Sequence, residues 1–210
     1  MSREELLAAA REVVLEGLVV SPWGNLSLRI SDDSFLITPS GVDYKTLVPE
    51  DLVEIGLDGK IKQGKLKPSS EYRLHLEIYK ARRDIRAIVH THSPYASAFA
   101  VARKSLPAVI EDLAQIVGGD VEVAKYALPG TEILAQNAVL ALRNKFAVLL
   151  ANHGVVGVGR NMEEALRVVR VVEKGAKVSL LSTIIGGPVL LEPEEIQVMH
   201  DFYLNKYGQR

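Results

Sequence analysis

The sequence predicts a single mixed α/β domain with a partly antiparallel sheet, on three observations. Apolar stretches in the first third are separated by turn signals alone, the pattern of hairpins. Later apolar stretches alternate with longer segments of helical periodicity. No repeat, linker or low-complexity run interrupts residues 1–210, which are therefore read as one domain, long enough to bury a sizeable core.

Each element has a local cause. Ser2 with Glu5 three residues on is a capping box, opening a helix to about Gly17. Leu26-Ser27-Leu28-Arg29-Ile30 alternates as a strand, and Ser31-Asp32-Asp33 turns it back into Phe35-Leu36-Ile37-Thr38. Leu52-Val53-Glu54-Ile55, the turn Leu57-Asp58-Gly59-Lys60 and Ile61 signal a second hairpin. Pro68-Ser69-Ser70 starts a helix on which Leu74, Ile78 and Ala81 recur at helical spacing. The apolar run ending in His90-Thr91-His92 is a strand, after which Ser93-Pro94 caps a helix through about Ala102. Val121 to Leu128 reads as a strand, and Gly130-Thr131-Glu132 opens a helix to about Arg143. Two strands flank His153. Asn161 with Glu164 makes a second capping box, for a helix through about Ile185, and Pro193 begins a last helix that ends near Asn205.

The histidines carry the chemistry. There are five, and His90 and His92 stand one residue apart at a strand end, so both imidazoles project to one side. His153, in Asn152-His153-Gly154, sits between two apolar runs, Phe146–Leu150 and Val155–Val158. Two buried strands that each end in histidine predict a three-histidine metal site with an open fourth position. Glu71 is the natural fourth member, in the first turn of the helix begun by Pro68-Ser69-Ser70, where the helix dipole favours a carboxylate. The same turn offers free amides and two hydroxyls as an anion seat. His75, four residues on along the same face, could also be a ligand but ranks below the others, since a histidine at that helical spacing is as often a supporting or a surface residue.

Composition excludes several classes. A formal net charge of −1 gives no sign of a nucleic-acid or anionic-membrane surface, and the cluster Lys60 to Lys67 reads as a solvated face. With no cysteine there are no disulfides, iron–sulfur clusters or thiolate sites, so a metal must be held by nitrogen and oxygen. The start Met1-Ser2-Arg3-Glu4-Glu5 is too acidic for a signal peptide and no apolar run is long enough to span a bilayer, so a cytoplasmic location is expected.

Five dispersed motifs in order resemble the class II aldolase/adducin family, most closely its L-fuculose-1-phosphate aldolase branch. They are Gly24-Asn25-Leu26-Ser27, Ile37-Thr38-Pro39-Ser40-Gly41, Pro68-Ser69-Ser70-Glu71, His90-Thr91-His92 and Asn152-His153-Gly154, with Lys206-Tyr207-Gly208 closing the match. The resemblance implies a three-layer αβα sandwich with a mixed, largely antiparallel central sheet. It also implies a Zn2+ ion and a homotetramer with active sites between subunits. His90, His92 and His153 would hold the zinc; Glu71 would be the catalytic acid/base and a zinc ligand when substrate is absent. Gly24, Asn25, Ser40, Gly41, Ser69 and Ser70 would cradle the phosphate of a sugar substrate. Tyr207 would reach the aldehyde end of the site.

One departure matters. After Leu106-Pro107-Ala108-Val109-Ile110 the fuculose enzymes carry a tyrosine that a neighbouring subunit presents as proton donor, and this chain has Glu111. A carboxyl group there resembles the dehydratases acting on 5-methylthioribulose-1-phosphate, though Glu111 can also simply begin a solvated helix. The expected activity is a lyase that cleaves a deoxyketose-1-phosphate to dihydroxyacetone phosphate and a short aldehyde. The alternatives are the dehydratase, a pentulose-5-phosphate 4-epimerase, which has aspartate in place of Glu71, and a non-catalytic adducin-like module.

Overall fold

The structure, a computed structural model, describes residues 2–208. Helix α1 (Ser2–Leu15) precedes the hairpin β1 (Asn25–Arg29) and β2 (Ser34–Ile37), then the hairpin β3 (Val53–Gly56) and β4 (Ile61–Gln63). Helix α2 (Tyr72–Ala81) leads into β5 (Ala87–Thr91), followed by α3 (Pro94–Ala102) and α4 (Glu111–Val117). Then come β6 (Val123–Ala124), α5 (Glu132–Leu142), β7 (Ala147–Leu150), β8 (Gly154–Gly159), α6 (Met162–Ile184) and α7 (Pro193–Lys206). The strands form one sheet in the order β4-β3-β2-β1-β5-β8-β7-β6, antiparallel throughout except for the β6–β7 pair.

Alternation along the strands sorts side chains into two cores, one on each face. Phe35, Ile37, Val53, Ile55 and Ile88 pack with α2 to α5, whereas Leu26, Leu28, Leu36, Ala87 and Val89 pack with α1 and the start of α6. Helices thus cover both faces, and the sheet is mixed and largely antiparallel as expected. The α6 packing is close: a Cβ on Gly157 of β8 would lie 2.6 Å from Cγ1 of Val169, so only glycine lets the helix rest on the strand. No helix among the described residues is long and apolar enough to cross a membrane.

Three local expectations need correction. The strand expected over Val121 to Leu128 shrinks to Val123–Ala124. Val121 instead pairs with Leu106 in an isolated bridge, and Lys125, Tyr126 and Leu128 are exposed beyond the end of β7, with nothing to continue the ladder. The box at Asn161 is half formed: its side chain accepts from the Glu164 amide at 2.8 Å. The Glu164 carboxylate does not return the bond; it takes the Arg160 amide and guanidinium at 2.6 Å each. At α3 the hydroxyl of Ser93 makes no cap. The amides of Tyr95 and Ala96 bond the carboxylate of Glu173 at 3.0 and 2.9 Å, a charge that also suits a helix N-terminus.

Candidate active site

Sheet register brings the site together. Antiparallel pairing of β1 with β5 sets Asn25 opposite His90, and pairing of β5 with β8 sets Thr91 opposite Val155. His92 follows the end of β5, and His153 lies in the tight turn between β7 and β8. That turn needs Asn152 in the left-handed region at φ 56, which asparagine tolerates, and its Oδ1 accepts from Arg103 Nε at 3.1 Å and Nη2 at 3.0 Å. It also needs Gly154, where a Cβ would meet the Thr91 carbonyl oxygen at 2.3 Å and His92 Cδ2 at 2.9 Å.

Glu71 is the N-cap residue of α2, one position before the first turn expected for it. Its side chain makes no bond to the helix amides. It turns to the histidines instead: Oε2 lies 3.3 Å from His90 Nε2 and Oε1 lies 3.6 Å from His153 Nε2. The three imidazole centroids stand 4.8 Å from one another, and His90 Nε2 is 3.0 Å from His92 Nε2 and 3.3 Å from His153 Nε2. One ligand atom from each of the four residues falls within 4.8 Å of the others.

This cluster fits a metal ion. Four ligands at about 2.0–2.1 Å in a tetrahedron are separated by about 3.3 Å, and the His90–His92, His90–His153, His90–Glu71 and His153–Glu71 pairs stand 3.0, 3.3, 3.3 and 3.6 Å apart. The donor set is nitrogen and oxygen, suited to zinc and its neighbours among the divalent ions. Glu71 Oε1 is buried and has no hydrogen-bond partner, an orphan that a cation would satisfy. Burial, then repulsion from His90, pushes His92 down to about 3 and His153 down to about 4, so both rings are held neutral and able to ligate. Burial works against a charge on Glu71, but the attraction and hydrogen bond of His90, with help from His153 and Asn25, hold it well below the ordinary carboxylate range.

The expected phosphate cradle is three adjacent loops beside this cluster. Thr38 N donates to Leu26 O at 3.0 Å, Ser69 N to Thr38 O at 3.1 Å and Ser40 N to Lys67 O at 3.0 Å, which draws the segments of Gly24-Asn25, Ser40-Gly41 and Ser69-Ser70 side by side. Ser40, Gly41 and Ser70 are exposed, Ser69 is buried, and Ser69 Oγ accepts from the Glu71 amide at 3.3 Å. Asn25 differs from a simple cradle residue: it is buried and its Nδ2 donates to Glu71 Oε2 at 2.9 Å. Sequence reasoning missed Tyr44, whose hydroxyl donates to Gly24 O at 2.7 Å and braces that loop. An isolated tyrosine after a turn carries no signal of such a distant bond.

The chain does not bring Glu111 or Tyr207 to its own four-residue cluster. Glu111 is the exposed first residue of α4. Tyr207 is 55% exposed, with its ring 5.6 Å from that of Tyr203, in a cleft shared with Arg160 and Arg167. Arg160 follows the far end of β8 from His153, a strand of 6 residues, so about 20 Å separates the two ends. His75 lies behind the cluster, fully buried and outside the set of ligand atoms.

Fold, histidine set and acidic fourth member define a site suited to a metal ion. Residues 4–180 match the family described as Class II Aldolase and Adducin N-terminal domain; the chain belongs to that family. Among its relatives is the 5-deoxy-D-ribulose 1-phosphate aldolase of Bacillus thuringiensis serovar kurstaki, 38% identical over 209 residues, covering 99% of this chain and 97% of that protein. The 5-methylthioribulose-1-phosphate/5-deoxyribulose-1-phosphate aldolase of Rhodospirillum rubrum is 37% identical over 195 residues, 93% of this chain and 87% of that one. A solved L-fuculose 1-phosphate aldolase superposes with a TM-score of 0.94 at 38% identity, covering 97% of this chain and 96% of that chain.

Proposed function

We propose that the protein is a zinc-dependent aldolase that cleaves a deoxyketose-1-phosphate to dihydroxyacetone phosphate and a short aldehyde. The observation that carries the reading is the cluster of buried Glu71 and His90 with half-buried His92 and His153 beside a loop cradle, in a chain similar to aldolases along its whole length. A zinc ion held by the three histidines supplies a Lewis acid for the substrate carbonyl. The amides and hydroxyls of Gly24, Ser40, Gly41, Ser69 and Ser70 bind the phosphate dianion and orient the reacting carbons.

Cleavage breaks the bond between C3 and C4. The C4 hydroxyl gives up its proton and becomes the aldehyde, and the electron pair passes to C3. Glu71 then returns a proton to C3; in the condensing direction it removes that proton. Oε1 suits the task because Oε2 is held by Asn25 whereas Oε1 has no hydrogen-bond partner. The proton acceptor at C4 is assigned to Glu111 or Tyr207 of a neighbouring subunit in a homotetramer, since neither residue meets the chain's own cluster.

The substrate class follows from the relatives' named substrates, 5-deoxyribulose-1-phosphate, fuculose-1-phosphate and 5-methylthioribulose-1-phosphate, which share the phosphorylated end and differ at the aldehyde end. A dehydratase on 5-methylthioribulose-1-phosphate is the second reading, favoured by the carboxyl group of Glu111. The test is incubation of the zinc-loaded enzyme with these three ketose phosphates, measuring dihydroxyacetone phosphate.

A further inference from the structure

Behind Glu71 runs a ladder of buried polar side chains. Strand β1 places Asn25, Ser27 and Arg29 on the face toward α2, while Leu26 and Leu28 face the other core. Helix α2 and its cap residue place Glu71, His75 and Tyr79 on one stripe, four residues apart. The two stripes interlock. Asn25 Nδ2 lies 2.9 Å from Glu71 Oε2, Asn25 Oδ1 lies 2.5 Å from His75 Nε2, Ser27 Oγ lies 2.6 Å from His75 Nδ1 and 2.8 Å from Tyr79 Oη. His75, Ser27 and Tyr79 are all 0% exposed.

Hydrogen-bond chemistry gives this ladder a direction. A carboxylate can only accept, so Asn25 must present its amide nitrogen to Glu71 and its carbonyl to His75. That carbonyl can only accept, so His75 carries its proton on Nε2. A neutral imidazole protonated there has an accepting Nδ1, so Ser27 donates to it and accepts in turn from Tyr79 at 2.8 Å, the shorter of the two contacts of the Tyr79 hydroxyl, the other being the Arg86 carbonyl at 3.4 Å. Burial, with repulsion from His90, pushes His75 down to about 3, which keeps the ring neutral and agrees with this polarity.

We propose that His75 is a positioning residue for Glu71: its Nε2–H, matched to the Asn25 carbonyl and backed by Ser27 at Nδ1, holds the Asn25 amide so that Oε2 is anchored and Oε1 is left to move the proton. The proposal rests on the aldolase reading for the role of Glu71. Every polar atom facing α2 from the cluster-proximal half of β1 is committed to this one chain of bonds. A network that merely held helix to sheet would need no common direction.

The test combines two variants with a measurement that needs no turnover. In His75→Phe, kcat should fall about 10–100-fold, with KM for the ketose phosphate and zinc content at saturating metal unchanged. His75→Gln, which keeps a donor and an acceptor, should recover much of the loss. Nitrogen-15 NMR of the His75 ring should report the neutral Nε2–H tautomer in both the zinc-loaded and the metal-free protein. An Nδ1–H tautomer, or an unchanged kcat in His75→Phe when Glu71→Gln is inactive, would overturn the proposal. Turnover surviving in Glu71→Gln would contradict the aldolase reading instead, and the tautomer is read independently of it. If His75→Phe fails to fold, Ser27→Ala removes the donor to Nδ1 with a small side chain, and should lower kcat with the same unchanged KM; an unaltered kcat there counts against the ladder.

Discussion

His90 Nδ1 donates to the backbone carbonyl of Val155 across 3.0 Å, and this bond decides which nitrogen of His90 faces Glu71. With a proton held on Nδ1, Nε2 is the nitrogen that points into the cluster and would ligate a metal. The carbonyl comes from β8, the strand that begins right after His153, so one backbone segment orients the first histidine and carries the third.

Gly154 is where that arrangement is most sensitive. A Cβ there would press on the Thr91 carbonyl at 2.3 Å and on the His92 ring at 2.9 Å. Gly154→Ala should cost about 1–3 kcal/mol of stability and weaken zinc binding tenfold or more, measured by denaturant titration and by competition with a chelator. Zinc affinity within twofold of the parent would show that the turn relaxes without moving His92.

Glu71→Gln separates binding from chemistry. The variant should keep zinc and phosphate affinity and lose turnover by on the order of 10² or more. Zinc loss in the same variant, read by elemental analysis, would make Glu71 chiefly a ligand.

Stability should depend on pH through His75. The folded-state value is depressed to about 3 from the ordinary 6.5, so between those values the unfolded chain binds a proton that the folded chain does not. The contribution is therefore full above 6.5 and is lost as pH falls toward 3, by up to a few kcal/mol. Melting temperature measured from pH 7 to 4 should fall less steeply in His75→Gln than in the parent. Parallel curves would show that His75 is protonated without cost.

Glu111 and Tyr207 should act across a subunit boundary. Light scattering at assay concentration should give a tetramer, and Glu111→Gln should lower turnover at least tenfold while leaving inorganic phosphate binding unchanged. A fully active monomer would return Glu111 to a solvated helix face.

Much of this architecture was legible because it is local. Hairpin turns, the Thr131 helix start and the strand-end histidines each declare themselves within a few residues, and the Thr131 side chain does accept from the Leu134 amide at 3.3 Å. The helix expected from Pro68-Ser69-Ser70 begins only at Tyr72, because Pro68 bridges Pro39 and Glu71 is the cap residue. What the sequence hid depends on distant partners. Glu173 caps α3 from 78 residues away, which no reading of Ser93-Pro94 could supply. Val121 to Leu128 has strand composition, yet only Val123 and Ala124 pair in register with β7. His75 looked like a lesser ligand because helical spacing to Glu71 was visible, whereas the pairing of α2 with β1 that gives it Asn25 and Ser27 was not.

The most direct test is product analysis of the zinc-loaded enzyme with 5-deoxyribulose-1-phosphate, fuculose-1-phosphate and 5-methylthioribulose-1-phosphate. At least one should yield dihydroxyacetone phosphate and its aldehyde in equal amounts, with the yield abolished in His92→Ala. A diketo phosphate ester with no dihydroxyacetone phosphate, or cleavage that survives exhaustive chelation, would contradict an aldolase working through Glu71 and the three histidines.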